Sequence, residues 1–427
     1  MQTRLLRLSF VVVAALAVDA ARPIAQTGRP EHWVGTWGTA VVPRPQPAPG
    51  AAPGRGATPL DFNNQTLRQI VHVSLGGPRL RVVLSNAFGT APLAVGAASV
   101  ALRQKDASIV PGSGRTLTFS GNGAPTIAAG SVAVSDPVAV AVPALADLAI
   151  DVYLPGATGA SPSPLTTHAG ALQTNYVSTA GNHVGAADFP VGGTMQAWFF
   201  LSAVDVSAPA AVGAVVAFGD SITDGTLSTP DTNNRWPDHL ARRLLSAGSG
   251  AAARPMGVVN EGIAGNRVLS DLVGPSALAR FDRDVLAQSG VTHVILLEGI
   301  NDLGLGGDGQ PLPAATDIIA GHRQIVERAH SHGLKVIAGT LLPFQGTKLG
   351  PFPDYYTAEK DARRQAINDF IRTSKTYDGV IDFEAAVRDP GQPRQLLAAF
   401  KGADNLHLND AGYQTLAGAV NLALLRR

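Results

Sequence analysis

At 427 residues the chain exceeds one ordinary small domain, so two are expected. Its 33 Lys+Arg against 32 Asp+Glu leave a net charge of +1, which argues against a nucleic-acid or acidic-surface partner. It contains no cysteine, which excludes a thiol nucleophile, a disulfide framework and thiolate metal sites.

The N-terminus carries Arg4 and Arg7, then an apolar run from Leu8 to Val18, then small residues. Residues 1–25 therefore read as a secretory signal peptide, too short for a membrane span. Cleavage after Val18-Asp19-Ala20 or Pro23-Ile24-Ala25 would satisfy a small-x-small site, and export to the periplasm or medium is expected.

From residue 31 to 206 the pattern is all-β. Thr66–Ser74 and Leu80–Ser85 alternate polar and apolar, and Gly-Gly-Pro or Gly-Thr-Ala-Pro breaks follow them. Val132–Ser135, Val138–Val142, Leu148–Leu154 and Trp198–Val206 continue the series, and no window has helical period. Short strands with regular turn signals predict a jelly-roll-like sandwich. Pro43–Pro59 reads as a long exposed loop.

After a small-residue join at 207–213 the pattern becomes strand–helix–strand to the C-terminus, residues 212–427. Val212–Phe218 is a short apolar run of the buried parallel kind. Helices are expected at Arg235–Ser246, Ala277–Gln288, Asp317–His332, Glu359–Lys375 and Ala411–Arg426. Strands are expected at Gly257–Asn260, His293–Leu297, Lys335–Thr340 and Val380–Phe383. Such alternation makes a three-layer α/β/α domain on a parallel sheet.

Three of these strands end in loops rich in functional side chains, on the sheet edge where open α/β folds bind ligands. They are Gly219-Asp220-Ser221-Ile222-Thr223, Asn260 to Asn266, and Glu298-Gly299-Ile300-Asn301-Asp302. Asp404-Asn405-Leu406-His407 precedes the last helix. Acyl transfer needs a nucleophile, a base, a group that holds the base, and oxyanion donors. Ser221 can attack, His407 can take its proton, and Asp404 can fix the imidazole tautomer. The backbone N–H groups of Ser221 and Gly265 and the Asn301 amide can converge on the oxyanion.

Gly219-Asp220-Ser221-Ile222, Gly265, Gly299-Ile300-Asn301-Asp302 and Asp404-Asn405-Leu406-His407 resemble, in order and spacing, the four blocks of the SGNH (GDSL-type) serine hydrolases. Ile222 stands where the family's name has Leu. The resemblance implies a flavodoxin-like catalytic domain with Ser221, Asp404 and His407 as triad. It also implies Ser221, Gly265 and Asn301 as oxyanion donors, with no metal or cofactor. The β-rich half is similar to the sandwich of a secreted two-domain subgroup, some of whose members act on acetylated polysaccharides. A small-molecule or polysaccharide ester, acetyl above all, is the expected substrate.

The same residues fit a general carboxylesterase, arylesterase or lipase, or an acyltransferase to sugar. A carbohydrate-binding protein with a retired hydrolase domain is the reading from another class. His330 and His332 read as helix-end cations, and Asp220 as a turn-former. Asp224, Arg267 and Glu298 read equally as substrate contacts or as structural residues. Trp33, Trp37, Trp198 and Trp236 read as core packing ahead of sugar stacking.

Overall fold

The computed structural model describes residues 31–46, 60–247, 255–306 and 312–426. The leader-like residues 1–25 lie outside them, as does most of the Pro-rich stretch. The part of that stretch inside them departs from expectation. Val42–Arg44 is a strand paired with Leu165–Thr167, and buried Gln46 bonds Leu60 through both its amide atoms.

In the β-rich half every strand pair is antiparallel. One sheet runs Trp33–Gly38, Leu201–Ser207, Gly77–Ser85 and Val132–Val134, with Val138–Val142 also on Gly77–Ser85. A larger one centres on Gln65–His72, Asp147–Leu154 and Ala97–Lys105. The inward residues of both, among them Leu67, Val71, Leu80, Val82, Val100, Ile150 and Val204, share one apolar core. The alternation read in the sequence is the signature of such half-buried strands. The expected strand Trp198–Val206 is broken. Phe200 takes a left-handed φ of 56° and divides Ala197–Phe199 from Leu201–Ser207, which belong to different sheets.

The second half contains a five-stranded parallel sheet. Its order is Gly257–Gly262, Ala214–Gly219, Val291–Leu297, Lys335–Gly339 and Gly379–Ile381. The first two strands in sequence are thus exchanged in space, the 2-1-3-4-5 order of doubly wound folds. Apolar clusters lie against the sheet. One holds Val216, Phe218, Phe281, Val294 and Ile325; the other holds Val215, Trp236, Leu240, Ile295, Ile337 and Leu416. Adjacent residues of one strand divide between the clusters, so the sheet is covered on both faces and its strands read as unbroken apolar runs.

Two helices end earlier than their patterns suggest. Ala277–Phe281 passes into a wider π-helical turn over Asp282–Leu286. The last helix is Asp410–Ala419, and Arg243 donates to the carbonyls of Ala417 and Val420 at its end. Phe383 opens a short helix, Phe383–Val387, instead of closing a strand.

Residues His32–Arg427 form one compact unit. The β-rich half covers the edge strand Gly257–Gly262. The Ser74 hydroxyl donates to Val258 O at 3.1 Å and accepts from Val258 N at 2.9 Å. Gly35 N donates to Ser289 O at 2.8 Å. The Val258 bonds satisfy backbone groups that an open edge would leave bare.

Candidate active site

The strand Ala214–Gly219 is in register with its neighbours so that Gly219 stands beside Gly262 on one side and Leu297 on the other. The three loops that follow therefore leave the sheet at one level. Only glycine fits at 219, because a Cβ there would collide with the Thr223 side chain and with Leu297 O. Asp220 caps the next turn, its Oδ1 accepting from Ile222 N at 2.9 Å. Ser221 begins the helical turn Ser221–Asp224, which Gly225 ends with a left-handed φ of 95°.

His407 meets Ser221 from the other end of the chain. Its Nε2 lies 2.8 Å from Ser221 Oγ, and its Nδ1 lies 2.6 Å from Asp404 Oδ2. Asp404 Oδ1 accepts from the backbone of Leu406 at 3.0 Å and of His407 at 2.9 Å. This tight turn is closed by Asn405 in a left-handed φ of 57°, a conformation Asn tolerates better than most residues. A carboxylate only accepts, so Nδ1 carries the hydrogen and Nε2 faces the hydroxyl ready to take its proton. Burial would raise the Asp404 pKa, but the bond and charge of His407 and the two N–H donors outweigh it and hold the carboxyl at about 2.

Asn301 lies in the short helix Ile300–Gly304. One hydrogen of its amide goes to Asn266 O at 2.9 Å, and its Oδ1 accepts from the Tyr355 hydroxyl at 2.8 Å. The flip is thereby fixed, and the second amide hydrogen is left for a ligand. Gly265 adjoins Asn266 and needs its φ of +76°; a Cβ there would also sit 2.8 Å from Val273 Cγ2. Asp302 secures the same loop, accepting from Val268 N at 2.7 Å and Leu269 N at 3.0 Å. Ser221, Asp404 and His407 are thus joined by hydrogen bonds, and Gly265 and Asn301 by a loop that leaves the sheet beside them.

Tyr355 and Arg280 have no signal in the sequence. Arg280 is fully buried and donates to Gly219 O at 2.9 Å, Glu261 O at 2.7 Å and Asn266 Oδ1 at 2.9 Å. One guanidinium therefore holds the ends of two strands and the Asn266 loop together. A run of Ala-Arg-Phe inside a helix gives no hint of this, because the partners come from other loops.

Below the nucleophile lie several buried carboxyls. Burial lifts Asp220 to about 7 and Asp302 to about 6, and pushes Glu298 and Glu261 well above the usual range. Asp220 Oδ2 and both Glu298 oxygens have no hydrogen-bond partner, although Arg280 comes within 3.7 Å of Glu298. Asp224 is buried against His168, and Arg267 is buried.

The remaining candidates have structural places. His330 bonds Asp378 at 2.8 Å. Among the described residues no cluster of three or more His, Asp or Glu could hold a metal. Trp37, Trp198 and Trp236 are buried, and Trp37 meets Trp198 edge-on at 5.1 Å. Trp33 lies under the Arg81 guanidinium at 4.9 Å. No described helix is long and apolar enough to cross a membrane.

Residues 217–415 match the model of the GDSL-like Lipase/Acylhydrolase family. No curated protein sequence matches the chain. Among solved structures, the inhibitor-bound aryl esterase of M. smegmatis is similar at 17% identity, over 48% of this chain and 95% of its own, with a TM-score of 0.39. The carbohydrate acetylesterase Est24 from Sinorhizobium meliloti is 17% identical over 48% of this chain and 95% of its own, TM-score 0.37. The acetyl xylan esterase AlAXEase is 21% identical over 48% of this chain and 96% of its own, TM-score 0.36.

Proposed function

We propose, from the match of residues 217–415 to the GDSL-like Lipase/Acylhydrolase family, that the chain is an ester hydrolase in which Ser221, His407 and Asp404 cleave the ester through an acyl-enzyme. The observation that carries this reading is the continuous chain from Ser221 Oγ to His407 Nε2 at 2.8 Å and from Nδ1 to Asp404 at 2.6 Å. His407 takes the hydroxyl proton as Oγ bonds to the carbonyl carbon. The oxyanion is received by the N–H groups of Ser221 and Gly265 and by the free hydrogen of the Asn301 amide. As the tetrahedral species collapses, His407 returns the proton to the departing alkoxide. Water then gives its proton to His407, attacks the acyl carbon, and frees Ser221 and the acid.

In this proposal residues 212–427 carry the chemistry and a jelly-roll-like region, 31–206, accompanies it. The leader-like residues 1–25 support export. Together with a net charge of only +1 they favour short acyl esters, acetyl first, on a neutral carrier such as a carbohydrate. A second reading, cleavage of longer acyl chains, is favoured by exposed Leu227, Leu272 and Val273. Val273 packs on Gly265, and Leu227 packs on Gly402, whose N–H bonds His407 O.

The test is hydrolysis of p-nitrophenyl acetate, butyrate and octanoate by the wild type and Ser221→Ala. Loss of the nucleophile should cost on the order of 10⁴- to 10⁶-fold in kcat. Equal activity of both proteins would remove Ser221 from the mechanism. Rates that rise with chain length would favour the second reading.

A further inference from the structure

The segment 168–174 of the β-rich half reaches into the loop that follows the nucleophile. His168, on the strand Leu165–Ala169, is buried with its Nε2 3.1 Å from Asp224 Oδ1 and its Nδ1 2.8 Å from Ala40 O. Both partners accept, so both ring nitrogens carry hydrogen and the imidazole is a cation paired with the Asp224 carboxylate. Burial alone would lower its pKa; the charge and bond of Asp224 raise it above the ordinary value. Asp224 is the last residue of the turn that Ser221 begins.

Three further ties come from the same segment. Arg235 donates to Ala171 O and, through Nε, to Asp224 O at 2.8 Å. Asp231 N donates to Leu172 O at 2.9 Å. The Asp231 carboxylate accepts from Gln173 Nε2 at 2.7 Å, Thr174 N at 2.5 Å and Thr174 Oγ1 at 2.7 Å. A stretch of seven residues therefore grips positions 224, 231 and 235.

The gripped loop is strained and touches the chemistry at both ends. Leu227, Asp231 and Asn233 have left-handed φ values of 69°, 63° and 53°. For a residue such as Leu this costs roughly 1–2 kcal/mol, and it persists only where surroundings over-determine it. Thr226 N donates to Ser221 O at 3.0 Å. On the far side, Tyr413 donates to Thr226 O at 2.6 Å, and Asp410 accepts from Thr229 N and Asn234 Nδ2. The helix that follows His407 thus holds the outer side of the loop, and the β-rich half holds its inner side.

We propose that segment 168–174 is a positioning element for the nucleophile, with His168 acting through Asp224 and Gln173–Thr174 acting through Asp231. The β-rich half then sets the rate of ester cleavage by fixing where Ser221 stands against His407. This rests on the serine esterase reading above. It assigns the β-rich half a part in catalysis without a contact to substrate.

The experiment compares Asp231→Ala, His168→Ala and Asp136→Ala with the wild type. Rates on p-nitrophenyl acetate are expressed per active site titrated with a fluorophosphonate. Asp136 is the control. It is a carboxylate within the β-rich half that, like Asp231, accepts from three donors, here Thr118, Ser120 and Gly121, and it makes no bond to the 222–235 loop. Asp231 is exposed, so its variant folds whether or not the His168 variant does.

Asp231→Ala should lose about tenfold in kcat with KM within about twofold, and His168→Ala up to about 100-fold, as small misplacements of a reacting group do. Asp136→Ala should lower the melting temperature comparably to Asp231→Ala and leave kcat per site unchanged. Wild-type kcat per site in Asp231→Ala overturns the proposal, as does an equal kcat loss in Asp136→Ala. Full activity of Ser221→Ala is a different failure, since it removes the esterase reading itself.

Discussion

Arg68 in the β-rich half and Arg280 in the α/β half are both fully buried arginines, and their surroundings differ in kind. Arg68 faces one carboxylate. It bonds both oxygens of Asp151, at 2.7 and 2.8 Å, spends further hydrogens on Ala107 O and Ala186 O, and lies over Phe189. Asp151 in turn accepts from Ser99 and Gly185. Arg280 bonds Asp284 at 3.1 Å and approaches Glu298 at 3.7 Å, with Glu261 and Asp220 also within reach of its charge. Burial outweighs the cations there and raises the pKa of Asp220, Glu261 and Glu298. A buried charge matched one to one is architecture. An under-neutralised group at the ends of parallel strands marks the place where charge is handled.

If Asp151 is purely architectural, its loss should be felt in stability and nowhere else. Asp151→Asn leaves Arg68 a buried, half-paired cation and should cost about 3–5 kcal/mol in urea unfolding, the usual penalty for breaking such a pair. The surviving folded fraction should hydrolyse ester at the wild-type kcat. A cost under about 1 kcal/mol would mean that the pair is no better matched than its counterpart in the other half. At the site the balance should invert. Asn301→Ala should reduce kcat by about 10²–10³-fold, as loss of one oxyanion donor does, while unfolding changes by about 1–3 kcal/mol for the Asn266 carbonyl and Tyr355 hydroxyl left unpaired. Tyr355→Phe removes only the group that holds the amide and should cost about fivefold, one net hydrogen bond. A Tyr355→Phe loss equal to that of Asn301→Ala would show that the flip, and not the donor, controls the rate.

The parts that were legible in the sequence are those encoded locally. An apolar run ending at Gly219-Asp220-Ser221 announces a strand and the turn after it. The three-residue spacing of Asp404 and His407 allows their bond within one turn. The order of the four blocks brings both to the sheet edge once the strands are parallel. Tyr355 lies 54 residues from Asn301, in a loop with no periodicity, and its bond exists only because the fold brings that loop across. Arg280 and His168 are hidden for the same reason, since each acts on a loop from another part of the chain. The bonds of Arg243 from a distant helix to the carbonyls that end the last helix were hidden too. Phe200 broke a continuous apolar run because the chain changes sheets there, and composition does not record that.

The smallest effect tests the raised carboxyls directly. Asp220 is raised to about 7, chiefly by burial, whereas an unfolded Asp titrates near 3.9. Below about pH 4 both states hold the proton and the group is neutral to stability. Between about 4 and 7 the unfolded chain loses the proton and the folded one keeps it, so stability falls as pH rises through this window and then levels off. Asparagine keeps the oxygen that caps Ile222 N and cannot ionise. Asp220→Asn should therefore gain on the wild type between pH 5 and pH 8, by about a few degrees in melting temperature or less. A gap independent of pH would mean that Asp220 is ionised throughout. Arg280 would then neutralise its neighbourhood as completely as Arg68 does, and the contrast between the two halves would be lost where it matters most, directly beneath Ser221.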